Sequence, residues 1–396
     1  MSGQPFPPDA ELTAAQRADL ELMIPPDGVE PLRERKVGAY FVRNLRRDEV
    51  PRAIALFREA MDFHFTDVSW DWRHYARNPG LVHMPAAFDD DGELVGIYPC
   101  TIRPAWVNGR DLLTCHACRT LTHPGHRGGG RVFALMSRFT VDRCYSIGVH
   151  FGFGGGANEA ALKVGSKLIG YKLMHDLEVR ERRLSMRLAL QARLGGKAGS
   201  AASRVADAFS NRDLKRAAGE FEVAVAEEFG GEFDELWQRK RAAYTVLLRR
   251  DAREIEWRYG QCPVNTPVLA ARRNGVLQGY AAIRHHNYGG EAAQVTQVLD
   301  LFTGKDAGVA GALLAEAARQ GRAAGSDFLH FAPAAGSVGW ELTRRKPWRA
   351  SRKAHDFVIV RDLCNDWKKV GLVPELETVV DGSNWHYCQG DSDFWD

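Results

Sequence analysis

The chain repeats itself, and that constrains its fold more than any composition figure. WDWRHYARNPGLVHMPAAFDDDGELVGIYPC begins at residue 70, and IEWRYGQCPVNTPVLAARRNGVLQGYAAIR begins at 255. Each carries Trp-Arg, a Tyr, a Pro, a short apolar run, a turn (Asp91-Gly92, Asn274-Gly275) and a second apolar run through Gly96 or Gly279. Asp-Gly and Asn-Gly between apolar runs are strong hairpin signals. HPGHRGGGRVFALM (123–136) then lines up without a gap on LFTGKDAGVAGALL (301–314). A helical pattern follows each, closing on Gly148 or Gly325, and then a short strand, VHFGF or FLHFA. A supersecondary unit present twice predicts two similar α/β domains. The expected fold is α/β with a mixed twisted sheet flanked by helices in each half. The expected domains are 1–178 and 220–396, joined by a helical, flexible connection over 179–219. In that connection Leu184, Leu188 and Leu194 fall on one helical face among arginines, and the Gly/Ala/Ser run near 195–203 reads as a mobile link.

At 396 residues the chain is long enough for two domains. A net charge of +3 provides no field that argues for nucleic acid, and no apolar run reaches the roughly 20 residues of a membrane span. MSGQPFPPDAEL lacks the basic and apolar regions of a signal peptide. Seven cysteines, an odd number, fit reduced thiols in the cytoplasm. Cys115 and Cys118 form C-H-A-C in an alternating stretch, DLLTCHACRTLTH, where residues three apart point to opposite faces. With no second such pair, no zinc site is expected.

Three consecutive glycines between Arg127 and Arg131, before an apolar helix, form an anion loop: glycines let backbone N–H groups approach closely, and the helix start adds field. A Walker loop is excluded because no Lys-Ser/Thr follows, and Phe133 stands where a dinucleotide fingerprint needs its third glycine. Arg127-Gly128-Gly129-Gly130-Arg131-Val132 instead resembles the R/Q-x-x-G-x-G/A loop of the GNAT superfamily of acyl-CoA-dependent N-acyltransferases, with Val at the last place. FGFGGGANEAALKVGSKLIGYK (151–172) resembles that family's later motif, an Asn-led helix, here Asn158, closing on Gly170 and Tyr171.

The resemblance implies acetyl-CoA, or another short acyl-CoA, as co-substrate and no metal. The pyrophosphate falls to Arg127, Gly128, Gly129, Gly130, Arg131 and Val132, with Leu121, Thr122 and Asn158 completing the cofactor site. The implied fourth strand ends at Thr122, whose N–H would polarise the thioester, and a general base six residues earlier would be His116. Strand alternation puts His116, Cys118, Thr120 and Thr122 on one face. Many relatives place a thiolate-protonating Tyr where this chain has Gly165; Tyr145, Ser166 or water are substitutes. Lys305-Asp306-Ala307-Gly308 has lost the arginine and the glycine cluster, so the second half reads as one that no longer holds coenzyme A. Trp72, Arg73 and Tyr75 recur as Trp257, Arg258 and Tyr259, which argues for packing and pairing. The aromatic tail NWHYCQGDSDFWD is expected to dock, at an edge or with His386, Asp391 or Asp393 at the first half's site.

The implied acceptor is an amino sugar, nucleotide- or lipid-linked, as in surface-polysaccharide pathways. Alternatives are an amino acid, polyamine or peptide amine, a non-catalytic scaffold, or a Fem-like transferase using aminoacyl-tRNA. A homodimer is left open.

Overall fold

A computed structural model describes residues 34–61, 63–77, 82–155, 159–210, 220–287, 293–363 and 367–392. The chain divides into two compact units. The first comprises Met1–His175, Val246–Arg249 and Phe357–Asn384; the second comprises Asp176–Thr245, Arg250–Asp356 and Trp385–Asp396.

The first unit opens with hairpin β1 (Glu34–Val37) and β2 (Tyr40–Asn44), then α1 (Val50–Met61). Helix α2 (Asp67–Asp71) starts at Thr66, whose side chain accepts from the Ser69 N–H, and runs into a π-turn over Trp72–Ala76. Strands β3 (Val82–His83), β4 (Pro85–Phe88), β5 (Leu94–Ile97), β6 (Cys100–Val107), β7 (Arg110–Ala117) and β8 (Leu121–Thr122) follow. The Asp91-Gly92 turn falls between β4 and β5 as predicted, with Gly92 at φ +79°. Pro99, which has no N–H for a ladder, stands where β5 gives way to β6. Two sheets result: β1-β2-β4-β5-β8 is one, and β6 pairs with β7 in the other.

Helix α3 (Arg131–Ser146) packs Val132, Met136 and Phe139 on Val95, Ile102 and Cys115. Strand β9 (Val149–Gly155) lies parallel to β7, and α4 (Glu159–Ile169) follows.

The second unit includes much of β10 (Lys172–Arg183), whose residues 180–183 pair with a later strand. The arginines at 180–183, predicted to begin a helix, thus lie in a strand, and Leu184 sits in the core. Next come α5 (Arg187–Leu194) and α6 (Gly196–Ser210). The Gly/Ala/Ser run is therefore a helix rather than a mobile link. Its small residues allow close approach: a Cβ on Gly199 would stand 2.5 Å from the Gln191 backbone. Strand β11 (Glu222–Val225) and α7 (Gly231–Lys240) precede β12 (Val246–Leu248), which belongs to the first unit and pairs with β6. Helix α8 (Ala252–Ile255) is capped by Asp251 and runs into a π-turn over Glu256–Gly260. This repeats the α2 arrangement with the same Trp-Arg and Tyr.

The hairpin β13 (Val268–Arg273) and β14 (Val276–Asn287) turns on Asn274 and Gly275, both at positive φ as an Asn-Gly turn requires. Then come β15 (Gln294–Phe302), α9 (Ala307–Ala323), β16 (Phe328–Phe331) and α10 (Val338–Thr343). The order is β11-β13-β14-β15-β16-β10, with only β15 and β16 parallel. Helix α9 covers one face, burying Val309, Leu313 and Ala317 against Leu269, Ile283, Val298 and Leu329. Strand β17 (Trp348–Asp362) ends in the first unit, where residues 358–362 pair with β9, and α11 (Val373–Val379) follows. Strand β18 (Trp385–His386) begins the tail of the second unit.

Candidate active site

The glycine loop of the first unit is held from below and open above. The Thr122 carbonyl accepts from Arg127 Nε at 2.9 Å, and the Arg127 carbonyl accepts from the Gly130 N–H at 3.2 Å. Gly129 (φ +63°) and Gly130 (φ +70°) take the left-handed conformation that glycine adopts without strain. Gly130 is the N-cap of α3 and brings no side chain to cap it. The N–H groups of the first turn, from Arg131 on, therefore have no intrahelical partner and lie at the positive end of a 16-residue helix. A Cβ on Gly128 or Gly129 would meet nothing within 4 Å, whereas one on Gly130 would meet Val164 and Leu168 of α4 at 3.1 Å. The loop thus has an open side and a wall. Arg131 lines an open groove along α3 with Arg138 and Leu168. Arg127 is turned back on its strand through Nε. His123 Nδ1 accepts from the Gly125 N–H, and His126 Nδ1 lies 3.2 Å from the Tyr40 hydroxyl. Asn158 lies outside the described residues.

Beside the loop, two parallel strands part. β7 and β9 pair from Leu113↔Val149 to His116↔Phe153, and β7 ends at Ala117. Arg119, at φ +41°, turns the chain so that β8 pairs with β5 (Gly96↔Thr122) and not with β9. The single strand predicted over 111–123 is broken there, so the alternation meant to align His116 with Thr122 does not run through. The His123 N–H donates to the Val95 carbonyl at 2.8 Å. Thr122, one residue earlier, is at a non-hydrogen-bonded position and aims its N–H away from β5. Leu121 is buried beneath it in the core with Ile97.

His116 is 4% exposed and stacks on Phe153 with ring centroids 4.5 Å apart and planes at 2°. Its Nδ1 lies 3.4 Å from Cys118 Sγ. Cys115 points the other way, into the α3 core. The cysteines among the described residues are free thiols.

A small cavity beside the parted strands is lined by Cys115, Ala117, Gly152 and Phe153, with Tyr98, Tyr171 and Arg361. The Tyr98 and Tyr171 hydroxyls are 2.7 Å apart. Burial pushes the Tyr171 phenol up to about 12 and raises Tyr98 as well, so both are neutral at ordinary pH. Arg361 donates to the Ser137 hydroxyl. Sequence reasoning missed this pair, although Tyr171 was in view as the aromatic residue closing the helix motif. Of the substitutes named for position 165, Ser166 is exposed and Tyr145, on the last turn of α3, sets its ring against His150.

The second unit answers each feature with a plug. The N-cap of α9 is Asp306, whose carboxylate accepts from the Gly308 and Val309 N–H groups at 3.0 and 3.1 Å. Its loop is also shorter: residues 303–306 separate strand from helix, against 123–130 in the first unit, so the ungapped alignment of the two loops does not hold. At the end of the β15–β16 pairing, Leu301, Phe331 and Tyr244 line a cavity with His386 and Cys388 of the docked tail. His386 Nε2 donates to the Leu301 carbonyl at 3.2 Å.

Asp391 accepts from Arg250 at 2.6 Å and pairs with Arg258 at 3.1 Å, fixing the tail within this unit. Asp393 lies outside the described residues. Asp300, His386 and Cys388 bring donor atoms within 4.8 Å of one another. The Asp300 oxygens, however, already accept from Arg250 Nε and from the Tyr259 and Tyr280 hydroxyls. Burial opposes ionisation of Asp300, yet beside Arg250 and Arg258 its carboxyl falls below the usual range. A cation there would face two buried guanidiniums, so the trio is a poor fit for a metal.

Residues 41–158 match the family described as an acetyltransferase (GNAT) domain. No curated protein sequence matches the chain. Among solved structures, a GCN5-related N-acetyltransferase from Anabaena variabilis is similar at TM-score 0.59 and 10% identity, covering 82% of this chain and 73% of that one. The N-myristoyltransferase of Saccharomyces cerevisiae with bound myristoyl-CoA aligns at TM-score 0.52 and 10% identity, over 85% and 81%. A GCN5-related glucosamine N-acetyltransferase region of a fungal multi-domain β-N-acetylglucosaminidase aligns at 0.54 and 10%, over 82% and 38%. The chain has the GNAT fold and its residues 41–158 match a GNAT acetyltransferase domain, findings that support an acyl-CoA-dependent N-acyltransferase.

Proposed function

We propose that the first unit binds an acyl-CoA, acetyl-CoA above all, and transfers the acyl group to a primary amine on an amino sugar. One contrast carries the reading. The helix start at Gly130 is uncapped and open, whereas the equivalent start at Asp306 is satisfied by the protein's own carboxylate. The N–H groups of Gly128, Gly129, Arg131 and Val132 would hold the pyrophosphate, with the Arg131 side chain at the groove mouth. The second unit is a diverged copy that no longer binds the cofactor.

In this reading the Thr122 N–H takes up charge developing on the thioester oxygen. His116 receives the amine proton, and the Tyr98–Tyr171 pair, neutral and beside the parted strands, returns a proton to the departing thiolate. The glucosamine N-acetyltransferase region among the structural neighbours favours the amino-sugar acceptor.

Calorimetry with acetyl-CoA tests the core of the proposal. Wild type should bind and Gly130→Glu should not, because the carboxylate and its strained backbone occupy the anion position. A wild-type chain that fails to bind acetyl-CoA would overturn it. Thiol release with glucosamine, spermidine and free amino acids then tests the acceptor.

A further inference from the structure

We propose that the cavity beside the parted strands is the acyl pocket, and that Ile359 and Leu363 limit the donor to acetyl- and propionyl-CoA. The inference rests on the acyl-CoA reading above and adds what sets the length of the acyl group. A fold of this kind does not set it alone, because the similar N-myristoyltransferase has myristoyl-CoA bound. In this chain the register gathers small residues around the cavity. Cys115 of β7 stands opposite Gly152 of β9, and Gly152 opposite Arg361 of β17. Two residues further along β9, Gly154 stands opposite Ile359. A Cβ on Gly152 would lie 3.1 Å from the Cys115 carbonyl and 3.3 Å from the Leu363 side chain; one on Gly154 would lie 3.7 Å from that of Ile359. Phe153, between the two glycines, turns to the other face and stacks on His116. Neither glycine has a positive φ, so the backbone does not call for glycine at either place. Glycine inside a strand weakens it and often marks the close approach of a ligand or of another backbone.

The space is apolar and short. Cys115, Ala117, Ile359 and Leu363 line it together with Tyr98 and Tyr171. It has room for about one water. In the proposed reaction the thioester sulfur lies beside the Tyr98–Tyr171 pair, and the acyl chain runs from it toward Ile359 and Leu363. A methyl group fills such a space, an ethyl group takes up its remaining slack, and a longer chain must push against the two side chains. Both are deep in the protein: Ile359 is 6% exposed and Leu363 3%. Leu363 packs with Cys115 in the α3 core, and its N–H donates to the His150 carbonyl at 2.9 Å. A close-packed interior resists even one added methylene. Discrimination of about tenfold for each excess methylene is the usual scale of such a pocket.

The full-length protein is titrated by calorimetry with free CoA and with acetyl-, propionyl-, butyryl- and hexanoyl-CoA. Acetyl- and propionyl-CoA should bind alike, butyryl-CoA about tenfold more weakly, and hexanoyl-CoA more weakly again. Leu363→Ala and Ile359→Ala lengthen the pocket, and each should bring butyryl-CoA to within about threefold of acetyl-CoA. Gly152→Ala works in the opposite direction: it should weaken acetyl-CoA by about tenfold and free CoA much less. Each comparison is a ratio of ligands on one folded sample, so a loss of stability does not imitate it. Wild type that binds hexanoyl-CoA as tightly as acetyl-CoA would overturn the proposal, as would folded variants that keep the wild-type ratios. If neither CoA nor acetyl-CoA binds wild type, the acyl-CoA reading itself falls and this inference with it. If both bind and acyl length makes no difference, the inference alone falls.

Discussion

The ring of Tyr171 occupies the space into which a side chain at position 165 would grow: a Cβ on Gly165 would stand 2.1 Å from it. The two positions exchange one volume, and glycine in α4 is the condition for the Tyr98–Tyr171 hydroxyl contact. Tyr171→Phe keeps the ring and removes the contact. We expect it to lower turnover by about 100-fold, the lower range for a positioned acid, with acetyl-CoA affinity unchanged. Steady-state kinetics beside calorimetry checks this. Gly165→Ala should overpack the site, costing about 1–3 kcal/mol in denaturant melts.

The same phenol sets an alkaline limit. Its folded pKa of about 12 exceeds the usual value near 10, so the folded state keeps the proton longer than the unfolded chain. The stability this represents is complete below pH 10 and is lost as pH rises from 10 to about 12. Chemical melts across that window should show a falling midpoint, and Tyr171→Phe should flatten part of the fall.

An acid limit comes from buried imidazoles. Burial lowers His83 to about 3 and His386 to about 4. The unfolded chain binds these protons near pH 6.5 and the folded one does not, so stability should drop as pH falls from 6.5 towards 4. Neither nitrogen of His83 has a hydrogen-bond partner among the described residues. His83→Leu should therefore be near neutral or stabilising at pH 7 and should lessen the acid loss, measured by thermal melts at pH 7 and pH 5.

Asp391 and Asp300 together balance two buried guanidiniums, those of Arg250 and Arg258. Asp391→Ala should cost about 3–5 kcal/mol, because Arg250 and Arg258 would keep their charge without it. A urea-unfolding free energy within about 1 kcal/mol of wild type would refute this account of the tail.

His116→Ala should lower turnover while leaving acetyl-CoA affinity nearly intact. Unchanged turnover at saturating amine would remove His116 as the base.

Local signals were legible where chemistry is local. Asn274-Gly275 and Asp91-Gly92 announced their hairpins, and the glycines before Arg131 announced an uncapped helix start. The misreadings share a different cause. Arg180–Arg183 looked helical because alternating charge on a strand with two polar-bearing faces imitates a solvated helix; β16 decides the matter, and it lies far along the chain. The break at Arg119 has no glycine to mark it. The Arg250–Asp300–Asp391 cluster joins residues 50 and 141 positions apart and carries no periodic trace. The Tyr98–Tyr171 contact required knowing that α4 and β5 approach, which no spacing records.

Asp306 shows how a helix start can be satisfied with no ligand at all. A helix start keeps its outward-pointing field whether or not a ligand arrives, so simply losing the glycines would leave an unfilled demand for negative charge. The second unit meets that demand permanently from its own sequence. The capping residue therefore sets the two units apart: at Asp306 a resident carboxylate meets the field of the helix start, whereas bare Gly130 leaves the start that the proposed function assigns to an outside anion.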